Sequence, residues 1–181
     1  DILTNNNYSF RLDFNNRDYV KEILKKLSSW DRKDILQLDL NKPYKKKKLD
    51  ASFNISNGKS SCNYKATVKI VGDLQDHLRL SEDSSIDHSI LVKLIDSNIN
   101  GITSFRLFIP ISRLDNNEIL GALLYKKLGF LSPKTLKIHI DVNGILKKYI
   151  FQEEISKEFL ERNNRQEGLL FEGVETFGIV K

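Results

Sequence analysis

Residues 72–77, with the sequence GDLQDH, could bind a phosphate group. They lie between two predicted strands, where a turn of such residues can point successive backbone N–H groups at an anion. The simpler interpretation is an ordinary polar turn, in which the Asp73 side chain bonds to the backbone two residues further on. Gly72, Asp73 and His77 are therefore candidate ligand-binding residues, and each also has a purely structural explanation.

Lys93 is the candidate cation of the sequence. It lies in the segment SILVKL (89–94), which is typical of a strand, and a rigid strand can hold one ammonium group against a phosphate. The alternative is a lysine that points to solvent. Alternation places Leu91 and Ile95 on the same face as Lys93, and two apolar neighbours argue against full exposure of that face.

Two glutamates could complete such a site. Glu118 lies at the start of a predicted helix, where it could pair with Lys93. It also has the spacing of a capping box with Asp115 as the N-cap, which explains a glutamate there without function. Glu153 directly follows a predicted hairpin, and its neighbour Glu154 suits the positive end of a helix dipole.

The elements that would position these residues follow from periodicity. Strands are predicted at 8–14, 35–40, 51–55, 64–71, 89–95 and 104–110, and helices at 17–29, 115–128 and 154–163. Asn143-Gly144 lies between two further strands and is a strong hairpin signal. The predicted fold class is α+β, an antiparallel sheet with a packed helix. This order of strands, helix, two strands and connector is similar to a protein-kinase N-lobe.

Composition excludes a few classes of protein. The chain has 181 residues, is 40% apolar and carries a net charge of +5, and no run of about 18 apolar residues predicts a membrane span. The lysine run 45–48 has only Tyr44 as an aromatic neighbour, so a solvated loop is favoured over a nucleic-acid site. The single cysteine, Cys62, cannot form an internal disulfide, and cysteine usage therefore does not indicate the cellular compartment.

Several segments together resemble the CotH (spore coat protein H) family of atypical kinases. They are IVGDLQDHL (70–78), SILVKL (89–94), FRLFIPISRLDNNEILGALLYKKLGFLSP (105–133), VNGILKKYIFQEEISKEFLERNNRQEG (142–168) and LLFEGVE (169–175). The resemblance covers about 65–175. It implies a CotH-like N-lobe at 61–181, the N-terminal half of a longer domain, preceded by an N-terminal extension or subdomain at 1–60.

The resemblance also implies a function. A complete CotH-like kinase transfers a phosphoryl group from ATP to Ser or Thr of a protein substrate, with Mg²⁺ as the metal. In this chain Lys93 would hold phosphate oxygens with support from Glu118, the Gly72 loop would cover the nucleotide, and Glu153 would lie near the adenine. The catalytic aspartates of the family would follow residue 181. The alternative is a CotH-like module without catalysis, which binds other proteins in a cell-surface or coat assembly.

Overall fold

The fold is described from a computed structural model that covers residues 2–5, 7–29, 47–72, 78–80 and 86–171. The strands are β1 (Ser9–Phe14), β2 (Leu49–Ser56), β3 (Ser61–Ile70), β4 (Leu78–Leu80), β5 (Ile86–His88), β6 (Ile90–Leu94), β7 (Ser104–Phe108), β8 (Thr135–Val142) and β9 (Ile145–Glu153). The helices are α1 (Asn16–Ser29), α2 (Asn117–Lys127) and α3 (Lys157–Arg162). Single 3₁₀ turns lie at Ile2–Thr4 and Pro110–Arg113.

The main sheet of the described residues is a closed barrel in the order β1-β2-β3-β6-β7-β9-β8. Neighbouring strands are antiparallel except where the barrel closes. There β1 runs parallel to β8, with Leu12 opposite Val142. Closure leaves no unpaired strand edge in the barrel. The short strands β4 and β5 pair separately as a two-stranded ribbon.

The predicted α+β fold, an antiparallel sheet with a packed helix like a kinase N-lobe, is wrong. The chain forms a closed mixed barrel, and α2 has no buried residue. Periodicity identifies strands but does not say which strands pair, so it could not reveal that β1 reaches β8. The barrel contains strands from both sides of residue 60, which lies in the turn between β2 and β3.

The core fills the inside of the barrel. Alternate residues of each strand point inward and are buried. Phe10 and Leu12 on β1, and Ile90, Val92 and Leu94 on β6, are examples. Ring contacts run across the interior between Phe10 and Phe53, Phe53 and Phe105, and Phe105 and Phe151. Because outward residues on the same strands are free of this packing, the outer face is where polar side chains can meet a ligand.

Several local predictions are confirmed. Helix α1 begins one residue before the predicted start, and the Asn15 side chain caps it by accepting the backbone N–H of Asp18 at 3.1 Å. Asn143 and Gly144 have φ angles of 51° and 88°, which the predicted hairpin requires. The sequence also predicts that Gly129 ends the helix at 115–128 as a C′ glycine, and it follows α2 with a φ of 82°. The helix predicted at 154–163 is shorter, and the strand predicted at 35–40 lies outside the described residues.

Candidate functional site

A cleft of about 630 Å³ lies between α2 and the outer face of the barrel. We call it the α2 cleft. Its polar side is lined by Arg106, Asn117, Glu118, Gln152, Glu153 and Glu154, and its apolar side by Leu131, Pro133, Ile155, Leu170 and Phe171. This size is within the range of small-ligand and peptide sites.

The floor of the cleft is built by strand register. Arg106 on β7 lies opposite Gln152 on β9, and both point outward. Arg106 forms an ion pair with Glu154, and Gln152 Nε2 donates to Glu118 Oε1 at 2.7 Å. The second bond joins α2 to the barrel. The polar end of the cleft is therefore an ordered network.

Helix α2 turns its small residues toward the barrel and its leucines away from it. Gly121 and Ala122 line the cleft together with Glu118. We define the leucine face as Leu120, Leu123, Leu124 and Leu128, whose exposed fractions are 60%, 53%, 59% and 62%. Apolar spacing in the sequence predicts a stripe of Ile119, Leu120, Leu123, Leu124, Lys127 and Leu128, and the predicted packed helix implies that this stripe contacts the core. The structure places it in solvent.

Lys93 lies on the outer face of β6, outside the cleft lining. It is exposed and lies opposite Ser104 on β7 and Thr67 on β3. Among the described residues it forms no hydrogen bond or ion pair. A hydrogen bond from Ser156 is the main cause that lowers the pKa of Glu158 on α3, and the charge of Lys93 is the smallest of the causes. The predicted contact between Lys93 and Glu118 is replaced by the bond from Gln152.

Arg106 is the cation that lines the α2 cleft together with Glu118, and sequence reasoning missed it. The available signal was the alternation of SFRLFIP, which makes Arg106 an outward residue between two inward ones. The predicted cation, Lys93, lies one strand further along the outer face. Nothing in the spacing of the sequence predicts that β8 and β9, rather than β6, lie next to α2.

Glu153 is almost fully buried, with 3% of its surface exposed. Arg162 Nε donates to its Oε1 at 2.9 Å, and a second guanidinium nitrogen contacts Oε2. The backbone N–H of Lys134 also donates to Oε2 at 3.1 Å. The stem of Arg162 passes so close to Gly101 that an added Cβ there would lie 3.1 Å from Cδ. Glu153 thus fastens α3 to the barrel, and both of its oxygens are already bonded.

Gly72 and Lys93 lie toward opposite ends of the β3–β6 pair. Gly72 follows β3 with a φ of 87°, and the N–H of its neighbour Val71 donates to Ser89 O at 3.0 Å. Lys93 instead pairs with Thr67. Five residues of strand separate Thr67 from Gly72, which corresponds to roughly 16 Å. Asp73 and His77 lie outside the described residues.

A second polar cluster forms around His88, where α1 meets the barrel. Tyr19 of α1 stacks on His88 at 4.6 Å between ring centroids, and its hydroxyl lies 3.2 Å from His88 Nδ1. The Tyr149 hydroxyl donates to His88 O at 3.4 Å, and Lys147 pairs with Asp87 nearby. Burial raises the pKa of Tyr19 and Tyr149. These contacts anchor α1 on the barrel.

Comparison with known proteins gives no family for the chain. No protein-family model matches the sequence, and a search of curated proteins finds no significant relative. Among the described residues there is no group of three or more His, Cys, Asp or Glu side chains arranged to hold a metal. No helix in that part of the chain is both long and apolar enough to cross a bilayer.

Proposed function

We propose that this chain is a protein-binding module without catalysis, CotH-like in the segments quoted above, and that it docks in a coat or cell-surface assembly through the leucine face of α2. The observation that carries the proposal is the direction of that face. Three leucines of one short helix and a fourth at its C-cap are exposed, whereas an ordinary surface helix turns such a stripe inward.

Apolar exposure on this scale marks an interaction surface. Full burial of one leucine contributes about 1.5–3 kcal/mol, so a partner that covered four half-exposed leucines would gain several kcal/mol. Phe130, which follows the helix, is also exposed, at 61%. Contiguous exposed apolar patches of this kind typically belong to binding sites.

The surface is held in place without help from its leucines. Gln152 bonds to Glu118 at the start of α2. Ser132, which follows the helix, donates from its Oγ to the carbonyl of Ala122 in α2 at 2.8 Å. A helix that is already fixed loses little conformational entropy on binding, which favours affinity. These two polar contacts therefore support a preformed docking face.

Site-specific photo-crosslinking in the native organism tests this proposal. A photoreactive amino acid replaces Leu124 in one variant and Leu146 in another, because Leu146 is equally apolar and 72% exposed but lies in the β8–β9 hairpin. We expect a defined crosslinked protein from position 124 and none from position 146. Equal yields of the same products at both positions would exclude the leucine face as the binding surface.

A phosphotransferase of the CotH type is the second candidate, favoured by one observation. Lys93 is exposed on a rigid strand and forms no ion pair within the described residues. The α2 cleft itself does not fit ATP. Its one arginine is paired with Glu154, and Glu118 adds a further carboxylate, so a triphosphate would meet more negative than positive charge. Nucleotide binding would have to use Lys93 instead.

Isothermal titration with Mg-ATP tests the second candidate. Saturable heat that is lost in Lys93→Ala and kept in Lys65→Ala would support nucleotide binding at Lys93. Lys65 is the matched control because it is an exposed lysine on the neighbouring strand β3. A flat titration with the unmodified protein would remove ATP and Mg²⁺ from the account and leave the binding module.

A further inference from the structure

The leucine face carries positive charge and no negative charge in the part of the chain that the structure describes. Lys127 lies seven residues after Leu120 and three after Leu124, so it belongs to the same side of the helix. Lys126 borders that side, and both lysines are exposed. The helix has one acidic residue, Glu118, and it points into the cleft, where Gln152 binds it.

The spacing of the leucines indicates the shape of the occupant. Leu120, Leu123, Leu124 and Leu128 follow the i, i+3, i+4, i+8 pattern with which one helix packs against another. A helix of 11 residues offers about three turns of such contact. One amphipathic helix of a partner would cover the whole face, as in helix-in-groove recognition.

Charge decides between this occupant and two others. A second copy of the chain would bring its own Lys126 and Lys127 to the interface, with no carboxylate on the opposing leucine face to meet them. A membrane surface requires more than two lysines beside a short apolar helix for stable attachment. A helix that carries carboxylates beside its apolar residues complements both features of the face.

We propose that the partner element is an amphipathic α-helix with leucine-like residues on one face and glutamates or aspartates flanking them. The flanking carboxylates pair with Lys126 and Lys127 at the C-terminal end of α2. This inference rests on the proposed binding function and adds the chemistry of the partner. The same lysines also suit the negative end of the helix dipole, so the test must separate the two roles.

Two synthetic peptides of about 18 residues, a length that permits helix formation, provide the test. Both have the same leucine spacing; one carries flanking glutamates and the other carries lysines at the same positions. Binding to the full chain is measured by fluorescence anisotropy at low and high salt. We expect the glutamate peptide to bind at least tenfold more tightly, with a difference that shrinks as salt rises.

Variants of the protein complete the experiment. Leu124→Glu should abolish binding of the glutamate peptide, whereas Leu146→Glu should leave it unchanged. The double variant Lys126→Glu, Lys127→Glu should reverse the peptide preference, which a role in the helix dipole alone does not predict. Circular dichroism confirms that each variant is folded.

Each of the other outcomes overturns one element of the proposal. Equal binding of the two peptides, still abolished by Leu124→Glu, would overturn the acidic partner and keep the apolar docking face. Absence of binding by both peptides, with crosslinking at position 124 retained, would overturn the helical partner and keep the binding function. Self-association in sedimentation, or flotation with anionic vesicles, that Leu124→Glu abolishes would replace the partner helix with a second copy or a membrane.

Discussion

At the residue scale, the two glutamates chosen from the sequence have different surroundings. Glu118 lines the α2 cleft and bonds to Gln152. Glu153 is buried against Arg162, with a backbone N–H as a third donor. A buried carboxylate that loses its cation is left with an uncompensated charge. The position next to the hairpin was predictable, but the ion pair with Arg162, nine residues further on, depends on how α3 packs back onto the barrel.

Replacing Arg162 with methionine should destabilise the protein by about 2–4 kcal/mol, because Glu153 would remain buried without its cation. Arg162 itself is partly exposed, which places the expected loss toward the lower end. Urea denaturation monitored by circular dichroism measures it. Arg165→Met is the control, since Arg165 is exposed beyond α3 and should change the free energy of unfolding by less than about 0.5 kcal/mol. Equal losses in the two variants would contradict the role of the ion pair.

The buried tyrosines predict how stability depends on pH. Burial raises the pKa of Tyr19 and Tyr149 above the unfolded value, which is about 10. Their contribution to the free energy of unfolding is therefore complete below pH about 10. It is lost as the pH rises toward the folded pKa, because between the two pKa values only the unfolded state ionises. The free energy of unfolding should fall by up to about 1.4 kcal/mol per pH unit for each tyrosine.

Denaturant titrations between pH 9 and 11 check this expectation. Tyr19→Phe should reduce the slope of the free energy of unfolding against pH. It should also destabilise the protein by about 1 kcal/mol at neutral pH, because the hydroxyl contact with His88 is lost. Tyr125→Phe is the comparison, because Tyr125 is exposed on α2. If the slope is the same in Tyr19→Phe and in the unmodified protein, the hydroxyl of Tyr19 is not buried as described.

At the element scale, closure of the barrel depends on one turn. Asn143 begins the β8–β9 turn, and its Oδ1 accepts the backbone N–H of Phe14 at 2.8 Å. Its own N–H donates to Leu12 O at 3.0 Å. The hairpin could be predicted from Asn143-Gly144 alone. Its second role, joining β8 to the first strand, involves a contact 129 residues away in sequence and could not.

Asn143→Ala should destabilise the β1–β8 junction by about 1–2 kcal/mol, because it removes the bond to Phe14 and disfavours the positive φ. Asn143→Gly separates the two causes, since glycine keeps the backbone conformation and loses only the bond. Amide hydrogen exchange at Phe14 is the measurement. Exchange at Phe14 should rise in both variants, and an unchanged rate in both would show that the side chain does not bridge the strands.

Helix α2 shows why a local pattern can be correct and still misplace an element. Its stripe and its terminal glycine were predicted from spacing. The capping box was wrong: Asn116 is the N-cap, it makes no side-chain cap bond, and Asp115 has a φ of 56°. A stripe of leucines predicts that some surface will cover it, but it does not say whether that surface belongs to the same chain.

At the scale of the whole molecule, the difference between the predicted sheet and the observed barrel comes from pairing. The seven strands of the barrel correspond to strands predicted from local patterns in the sequence, whereas the short strands β4 and β5 were missed. The order β3-β6-β7-β9 and the parallel junction of β1 with β8 are set by how the inward side chains fill one interior. This packing also leaves α2 outside the barrel, with its leucines uncovered. The candidate site is therefore a property of the assembled fold.

The leucine face lies in solvent on the outside of the barrel, where a partner can reach it. The most direct measurement is the free energy of unfolding of Leu124→Ala beside Leu107→Ala, a fully buried leucine of β7. We predict a change within about 0.5 kcal/mol for Leu124→Ala and a loss of about 2–5 kcal/mol for Leu107→Ala. A loss of 2 kcal/mol or more at Leu124 would mean that the face is buried within the protein itself, and it would contradict the account.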